Sequence, residues 1–374
     1  VTDRSTETLR MTPGPTEVPA AVRQRMAEPT PNPDVEPEFV AFYRELTDKL
    51  ARIYHADRSG ESPREAAERR DVVVLGGEGI LGLEAAVASL VDPGDRVLCL
   101  SNGLYGAGFA DFVEDYGGEA VVCEVPWEET LDRGTVEARL DDADEAFDVA
   151  TMVHCETPTG TLNDLDPILD LLADRDVLTV VDAVSSLGGT PVPTGKVDVC
   201  LGASQKCFSA PPGLATCAVS DRAWERIEAV ENETYYADLE PWRTAAEDEW
   251  FPYTHLTANL YGLDAAADLL LDEGLEGVFD RHETAARRCR ERAADLGLEL
   301  YPAEERDSSP TVTALSVDGR ADELQRAMRE DHEIVLATGL GDLEDDILRI
   351  GHMGHNARVD RVDRTMDALE AVLD

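Results

Sequence analysis

Between residues 71 and 220 seven short apolar runs follow one another: DVVVL, RVLCL, AVVCEV, DVATMVH, VLTVVD, VDVCL and LATCAVS. They are rich in valine and carry little of the polar alternation that a strand with one wet face needs, so they read as strands covered on both sides. Segments of helix or loop length separate them. That succession predicts an α/β fold, with a mostly parallel sheet and helices on both faces. After about residue 260 the texture changes. A long helical stretch, DAAADLLLDEGLEGVFDRHETAARRCRERAADLG, precedes strand-like TVTALSV, a helix through Leu324 and Met328, then EIVLAT, ILRIG and a last helix from Val359 to Leu373. We therefore expect a large domain over residues 1–260 and a smaller α+β domain over 261–374. A chain of 374 residues has ample core for both.

Upstream of the runs, MTPGPTEVPA is punctuated by Pro and Gly and reads as loop. A short helix is expected from Ala20 to Met26, and AEPTPNPDVEPEF is again loop. Phe39, Phe42, Leu46, Leu50 and Ile53 recur at helical spacing, which predicts an amphipathic helix over Glu38–Ala56. DRSGESPREAAERR is polar and expected on the surface.

Charge constrains the partners. The formal net charge is −45 and the pI near 4.3, yet 43% of residues are hydrophobic and the acids are spread through periodic, core-forming sequence. This reads as a globular protein whose surface is adapted to concentrated salt, where counter-ions screen self-repulsion. Such a charge argues against nucleic acid or anionic membrane as a partner. The seven cysteines fall mostly in apolar runs and without zinc-type spacing, as expected of buried thiols in a reducing cytoplasm. The start VTDRSTETLR has no apolar signal core, and nothing reaches the length of a membrane span. A soluble cytoplasmic protein is expected.

Chemistry concentrates between Val177 and Pro212. Asp182 ends the run VLTVVD, and Lys206 lies in SQKCFSAPPG just after VDVCL; both should leave the carboxyl ends of strands, where open α/β sheets place ligand-binding groups. A lysine that can bond to an aldehyde, with a carboxylate to keep a pyridine nitrogen protonated, is what pyridoxal phosphate requires. The chain has only three lysines, Lys49, Lys196 and Lys206, against thirty arginines. A lysine kept among so many arginines points to an amine that must lose its proton. Gly77, Gly79 and Gly82 in GEGILG follow a strand and open a helix. They fit a dinucleotide loop, a single phosphate seat at a helix amino terminus, or a tight turn. The acid that a dinucleotide loop wants after the next strand is replaced by Ser101 and Asn102.

Taken together these motifs resemble the class V aminotransferases of fold type I, in the alanine–glyoxylate and serine–pyruvate branch. PGPTEVP, GEGILGLEAAVASLVDPGDRVL, SNGLYG, HCETPTGTLNDL, VVDAVSSLGGTP, GASQK with APPG, PYTHLTANLYGL and LRIGHMG carry the resemblance, in family order over nearly the whole chain. The acidic character is of the haloarchaeal type. The resemblance implies pyridoxal 5′-phosphate as cofactor, with Lys206 holding it and then acting as base, and Asp182 pairing with the ring nitrogen. It places Val184 under the ring, Tyr105 stacked on it and Thr157 near its 3-hydroxyl. Gly79, Ile80 and Gln205 would grip the phosphate, with Thr254 supplied by the neighbouring subunit of a homodimer that shares its active sites. Arg349 would clamp the substrate carboxylate. Alanine or serine would give the amino group, and glyoxylate or pyruvate would receive it. No metal is expected: His352 and His355 lie three apart, without a third ligand nearby in sequence.

Several positions depart from the family pattern. Glu78 stands where a small hydroxyl residue usually touches the phosphate, which a carboxylate would repel. Phe251 replaces a tyrosine that usually reaches the neighbour's phosphate. TPNPDVEPEF lacks a His-Arg pair often found in the substrate-side loop. Cys207 follows the lysine, as packing. These departures leave open a ureidoglycine or aminophosphonate transaminase, or a lyase or desulfurase of the same superfamily. A nicotinamide-dependent oxidoreductase built on GEGILG is the alternative from another class.

Overall fold

In a computed structural model, which describes residues 8–55, 70–231 and 234–373, the seven runs form one sheet. DRSGESPREAAERR up to Arg69, and the first seven residues, lie outside the described residues. In chain order the strands of the first part are β1 (Leu9–Arg10), β2 (Arg70–Leu75), β3 (Arg96–Ser101), β4 (Glu119–Glu124), β5 (Val149–Val153), β6 (Cys155–Glu156), β7 (Thr161–Leu162), β8 (Leu178–Asp182), β9 (Val199–Ala203) and β10 (Ala215–Ser220). The seven-stranded sheet runs β2-β10-β9-β8-β5-β3-β4. β10 is antiparallel to both its neighbours and every other pairing is parallel. A short return after β9 forces that one reversal, because parallel neighbours need a long crossover. The return loop carries Lys206 to the end of the sheet where Asp182 closes β8. Strand order reverses between β3 and β5, the switch point at which open sheets leave a crevice.

Burial explains the lack of alternation: all five residues of β5, β8 and β9 are buried. β4, at the edge, is the exception, with Val122 44% exposed.

Helices cover the sheet: α1 (Ala20–Met26), α2 (Pro37–Tyr54), α3 (Gly79–Leu90), α4 (Leu104–Asp115), α5 (Arg133–Asp141), α6 (Asp166–Asp174) and α7 (Asp221–Ile227). On α2 the residues Phe39, Leu46, Leu50 and Ile53 are buried, each stabilising the fold by about 2 kcal/mol, and Phe42 packs at the margin. α3 is buried on most of its circumference, Ala85, Ala88 and Ser89 included, because it packs on β9 and β10 and also against α4 and α7.

The long helical stretch is two helices, α8 (Thr257–Glu273) and α9 (Leu275–Asp295). They part at Gly274, whose φ of 83° suits glycine alone. The rest comprises β11 (Glu299–Leu300), β12 (Thr313–Ser316), α10 (Ala321–His332), β13 (Ile334–Val335), β14 (Ala337–Thr338), β15 (Ile347–Ile350) and α11 (Val359–Leu373). β11, β12, β15 and β14 form a second, antiparallel sheet. A second apolar cluster lies there, containing Cys289, Leu315, Leu324, Met328, Leu348 and Met366. Two connections bind it to the first. α9 places Val278 in the large cluster and Ala285 in the small one. The amino-terminal β1 pairs in parallel with β13, so Leu9 and Met11 pack in the small cluster.

Candidate active site

Lys206 enters the cleft from the β9–β10 return. Its Nζ donates to the Pro13 carbonyl oxygen at 2.8 Å, and Gly14 lies against its methylenes so closely that a Cβ there would sit 2.5 Å from Lys206 Cδ. Lys49 bridges Asp264 and Asp268, and Lys196 bridges Asp166 and Asp170. Lys206 makes no such ion pair among the described residues. Burial, and then the charge of Arg349, push its pKa down, against the pull of Asp182 and Glu78. Asp182 is buried at the last position of β8, and its Oδ1 accepts the Val184 N–H at 2.8 Å. Burial raises this carboxyl to about 6 in spite of that bond and of Lys206.

The lysine loop is braced by residues near both ends of the chain. Ser209 takes a left-handed backbone, φ 59°, a conformation that costs a non-glycine residue about 1–2 kcal/mol. Its Oγ accepts from Thr16 Oγ1 at 3.1 Å and from His355 N at 2.8 Å, and Thr16 N donates to the Gln205 carbonyl at 3.0 Å.

At the amino terminus of α3, Glu78 is the capping residue. One carboxylate oxygen accepts the Ile80 N–H at 3.1 Å, and the other accepts from the Gln205 side-chain amide. The Gln205 amide oxygen is buried without a partner among the described residues. Gly79 packs on Ala203 and Val184, which ties the start of α3 to the ends of β8 and β9.

Tyr105 is half-buried at the second position of α4. Burial raises its hydroxyl pKa, and the nearby charge of Asp182 adds to this while Arg349 opposes it. Thr157 is buried, its hydroxyl bonded to that of Ser185. Arg349 comes from β15 in the second sheet. Its Nε donates to the Thr338 carbonyl at 2.6 Å and its Nη1 to the Thr157 carbonyl at 3.3 Å. No carboxylate pairs with it among the described residues, and burial lowers its pKa to about 10. A buried cation held only by carbonyls is a seat for an anion.

Glu156 escaped the sequence reading. It is fully buried, and its two oxygens accept the Gly106 N–H at 2.7 Å and the Tyr105 N–H at 3.4 Å. Burial, with Asp182 adding, lifts its carboxyl to about 7 against those two bonds. The available signal was an acid within the otherwise uncharged TMVHCETPTG.

Thr254 does not join this group: it is exposed and donates to Asp34 Oδ2 at 2.9 Å. Phe251 packs edge-on against the rings of Phe39 and Tyr43, at 5.0 and 4.9 Å. Cys207 is buried with Cys155, Val312 and Met353. The ring nitrogens of His352 are bonded to Thr313 Oγ1 at 2.7 Å and to the Pro310 carbonyl at 3.1 Å. No group of three His, Cys, Asp or Glu residues among the described residues could hold a metal ion.

These residues fit the ring end of a pyridoxal group: an amine without a carboxylate partner among the described residues lies within the fields of a buried acid and an arginine held only by carbonyls. At the α3 end the fit changes, since the carboxylate of Glu78 already occupies the N–H of Ile80.

A family model described as aminotransferase class-V matches residues 50–342. The pyridoxamine–pyruvate transaminase of Mesorhizobium japonicum is 36% identical over 87% of this chain and 81% of its own. The crystal structure of pyridoxamine–pyruvate aminotransferase from Mesorhizobium loti superposes with a TM-score of 0.90 at 33% identity, covering 98% of this chain and 92% of that one. An alanine–glyoxylate aminotransferase from Nostoc sp. superposes with a TM-score of 0.89 at 27% identity over all of both chains.

Proposed function

The chain belongs to the class-V aminotransferases and is a pyridoxal-phosphate-dependent transaminase, and from that premise we propose that it moves the amino group of alanine or serine to glyoxylate or pyruvate. When bound, the cofactor supplies an aldehyde to carry the amino group and an electron-accepting ring. In this reading Lys206 would hold the cofactor through its amine, and that amine, when free, would move a proton at the substrate carbon. Its lowered pKa supports the role, since an amine must be free of its proton to act as base. Asp182 would keep the ring nitrogen protonated. Val184, Tyr105 and Thr157 would hold the ring. Gly79, Ile80 and Gln205 would face the phosphate, the last two once released from Glu78, and Arg349 would take the substrate carboxylate with its fork. One observation carries the reading: a lysine without a carboxylate partner shares its crevice with a buried acid and an unpaired arginine.

We read the active form as a homodimer in which Thr254 of a second copy completes the phosphate site. Exposed aromatic side chains support this. Tyr236 stacks on Tyr253, which bonds the Gly76 N–H beside α3, and Tyr235 and Trp250 are more than half exposed. Residues 1–260 and 261–374 are taken as its two domains. A cytoplasmic protein working in concentrated salt agrees with seven free, buried cysteines and the charge of −45. No helix among the described residues is long and apolar enough to cross a membrane.

Glu78 favours a second reading, in which pyridoxamine is the amino donor to pyruvate, the pair in the name of the Mesorhizobium japonicum relative. A free 5′-hydroxymethyl group can donate to the Glu78 carboxylate, which would favour pyridoxamine as a substrate beside the phosphorylated cofactor.

The test is an absorbance spectrum of the purified protein in molar salt. A visible band of bound cofactor should fade with alanine and return with glyoxylate, and K206A should lose both the band and turnover. A band that no amino acid or pyridoxamine moves would sink both readings.

A further inference from the structure

We propose that Glu156 is a positioning residue that acts through Tyr105: it fixes the first turn of α4 so that the Tyr105 ring is held over the Asp182–Lys206 end of the crevice. A carboxylate buried without a cation is costly, and here it is retained where two main-chain N–H groups converge. Those N–H groups belong to Tyr105 itself and to Gly106, at the helix end whose dipole favours an anion.

The neighbouring glycines fit the same device. A Cβ on Gly103 would lie 2.6 Å from the Glu156 carboxyl carbon, and one on Gly106 would lie 3.3 Å from Oε1 and 3.0 Å from the backbone of Leu100 and Ser101. Both glycines of SNGLYG therefore let the carboxylate reach the helix end. Glu156 follows β5 while Tyr105 follows β3, so the contact bridges the two strands at which the sheet order reverses. A side chain at that junction sets how far the Tyr105 ring stands from Asp182 at the end of β8. The Tyr105 hydroxyl lies within the fields of Asp182, Arg349, Glu156 and Glu78, so a shift of the first turn of α4 changes the surroundings of the whole crevice.

The inference rests on the reading of Tyr105 as the residue stacked on the ring, and a double-mutant cycle separates the two. The dissociation constant of pyridoxal phosphate is measured by equilibrium dialysis for the native enzyme, Y105A, E156A and Y105A/E156A, with near-UV circular dichroism as the check on folding. Each single change should weaken binding about tenfold, and the double should bind no worse than about twofold below Y105A, because a residue acting through another adds nothing once the other is gone. The visible band of bound cofactor should shift alike in Y105A and E156A. Independent effects, multiplying to about a hundredfold, would overturn the inference and leave the Tyr105 role standing. If Y105A itself left binding and the band unchanged, both would fall. Should E156A not fold, E156Q serves. Its amide can accept one of the two N–H groups, so a loss of about threefold is expected, vanishing in the Y105A background; a loss that persists there would overturn the inference.

Discussion

Glu78 and Gln205 are joined side chain to side chain across the amino terminus of α3, so a carboxylate stands at the point where a helix end would otherwise receive a phosphate. Substituting Glu78→Ser keeps an N-cap of equal quality and removes the negative charge. We expect E78S to bind pyridoxal phosphate about tenfold or more tightly than the native chain, and to turn over pyridoxamine with pyruvate correspondingly less well. Titration with each vitamer decides the matter. Equal preference in both proteins would show that Glu78 does not choose between them.

Arg349 has no carboxylate partner among the described residues, and its guanidinium is oriented by two carbonyls. R349A should raise the KM for alanine about a hundredfold, in line with losing a charge-assisted bidentate contact, and leave the visible band of bound cofactor in place. R349K should recover only part of the loss, since an ammonium lacks the fork. Steady-state kinetics on the two variants would expose the assignment as wrong if alanine KM stayed within about threefold of native.

Glu156 has an ordinary value of 4.5 and is raised to about 7 in the folded chain. A raised acid favours the folded state's proton, so its ionisation costs nothing below about pH 4.5, a growing amount up to 7, and a constant amount above. The full cost is about 3 kcal/mol. E156Q removes this dependence. Its unfolding free energy relative to native should therefore rise by about that amount between pH 4.5 and 8, as read from urea melts in salt. The buried His154 and His282, lowered to about 4 and about 3 by burial, weaken both proteins alike as pH falls, so they cancel in the difference. A flat difference across that range would mean that Glu156 stays ionised at little cost.

A charge of −45 on one chain repels itself across the whole surface in dilute buffer. Raising KCl from 0.1 M to 2 M shortens the screening length from about 10 Å to about 2 Å. The melting temperature should climb by roughly 10 °C, the equivalent of a few kcal/mol of relieved repulsion. Calorimetry at the two concentrations would reveal an ordinary mesophilic surface if the midpoint stayed put.

What could be seen in advance depended on how local the cause is. The strands of the large sheet were legible because burial on both faces leaves an unbroken apolar run, and so was the placement of Asp182 and Lys206 at strand ends, since each follows or closes such a run. The break at Gly274 was not, since the apolar period of DAAADLLLDEGLEGVF runs straight across it and only the backbone angle records it. Glu156 was missed for a related reason. Its partners are main-chain N–H groups about fifty residues away, and such a bond leaves no spacing between residue types. Arg349, one of thirty arginines, stood out through its motif alone. The pairing of β1 with β13 has no periodicity to betray it, being two residues long.

That pairing makes the amino-terminal segment a leash. At one end Leu9 and Arg10 are laced to Ile334 and Val335, and the Met11 carbonyl accepts the Gly351 N–H at 2.7 Å. At the other, Thr16 is fastened to the carbonyl of Gln205, next to the lysine. Five peptide units lie between Met11 and Thr16, and fully stretched they reach about 17 Å. The segment therefore ties the second sheet to the loop that carries Lys206 through a span of fixed length, so a displacement at either end beyond that span would be felt at the other.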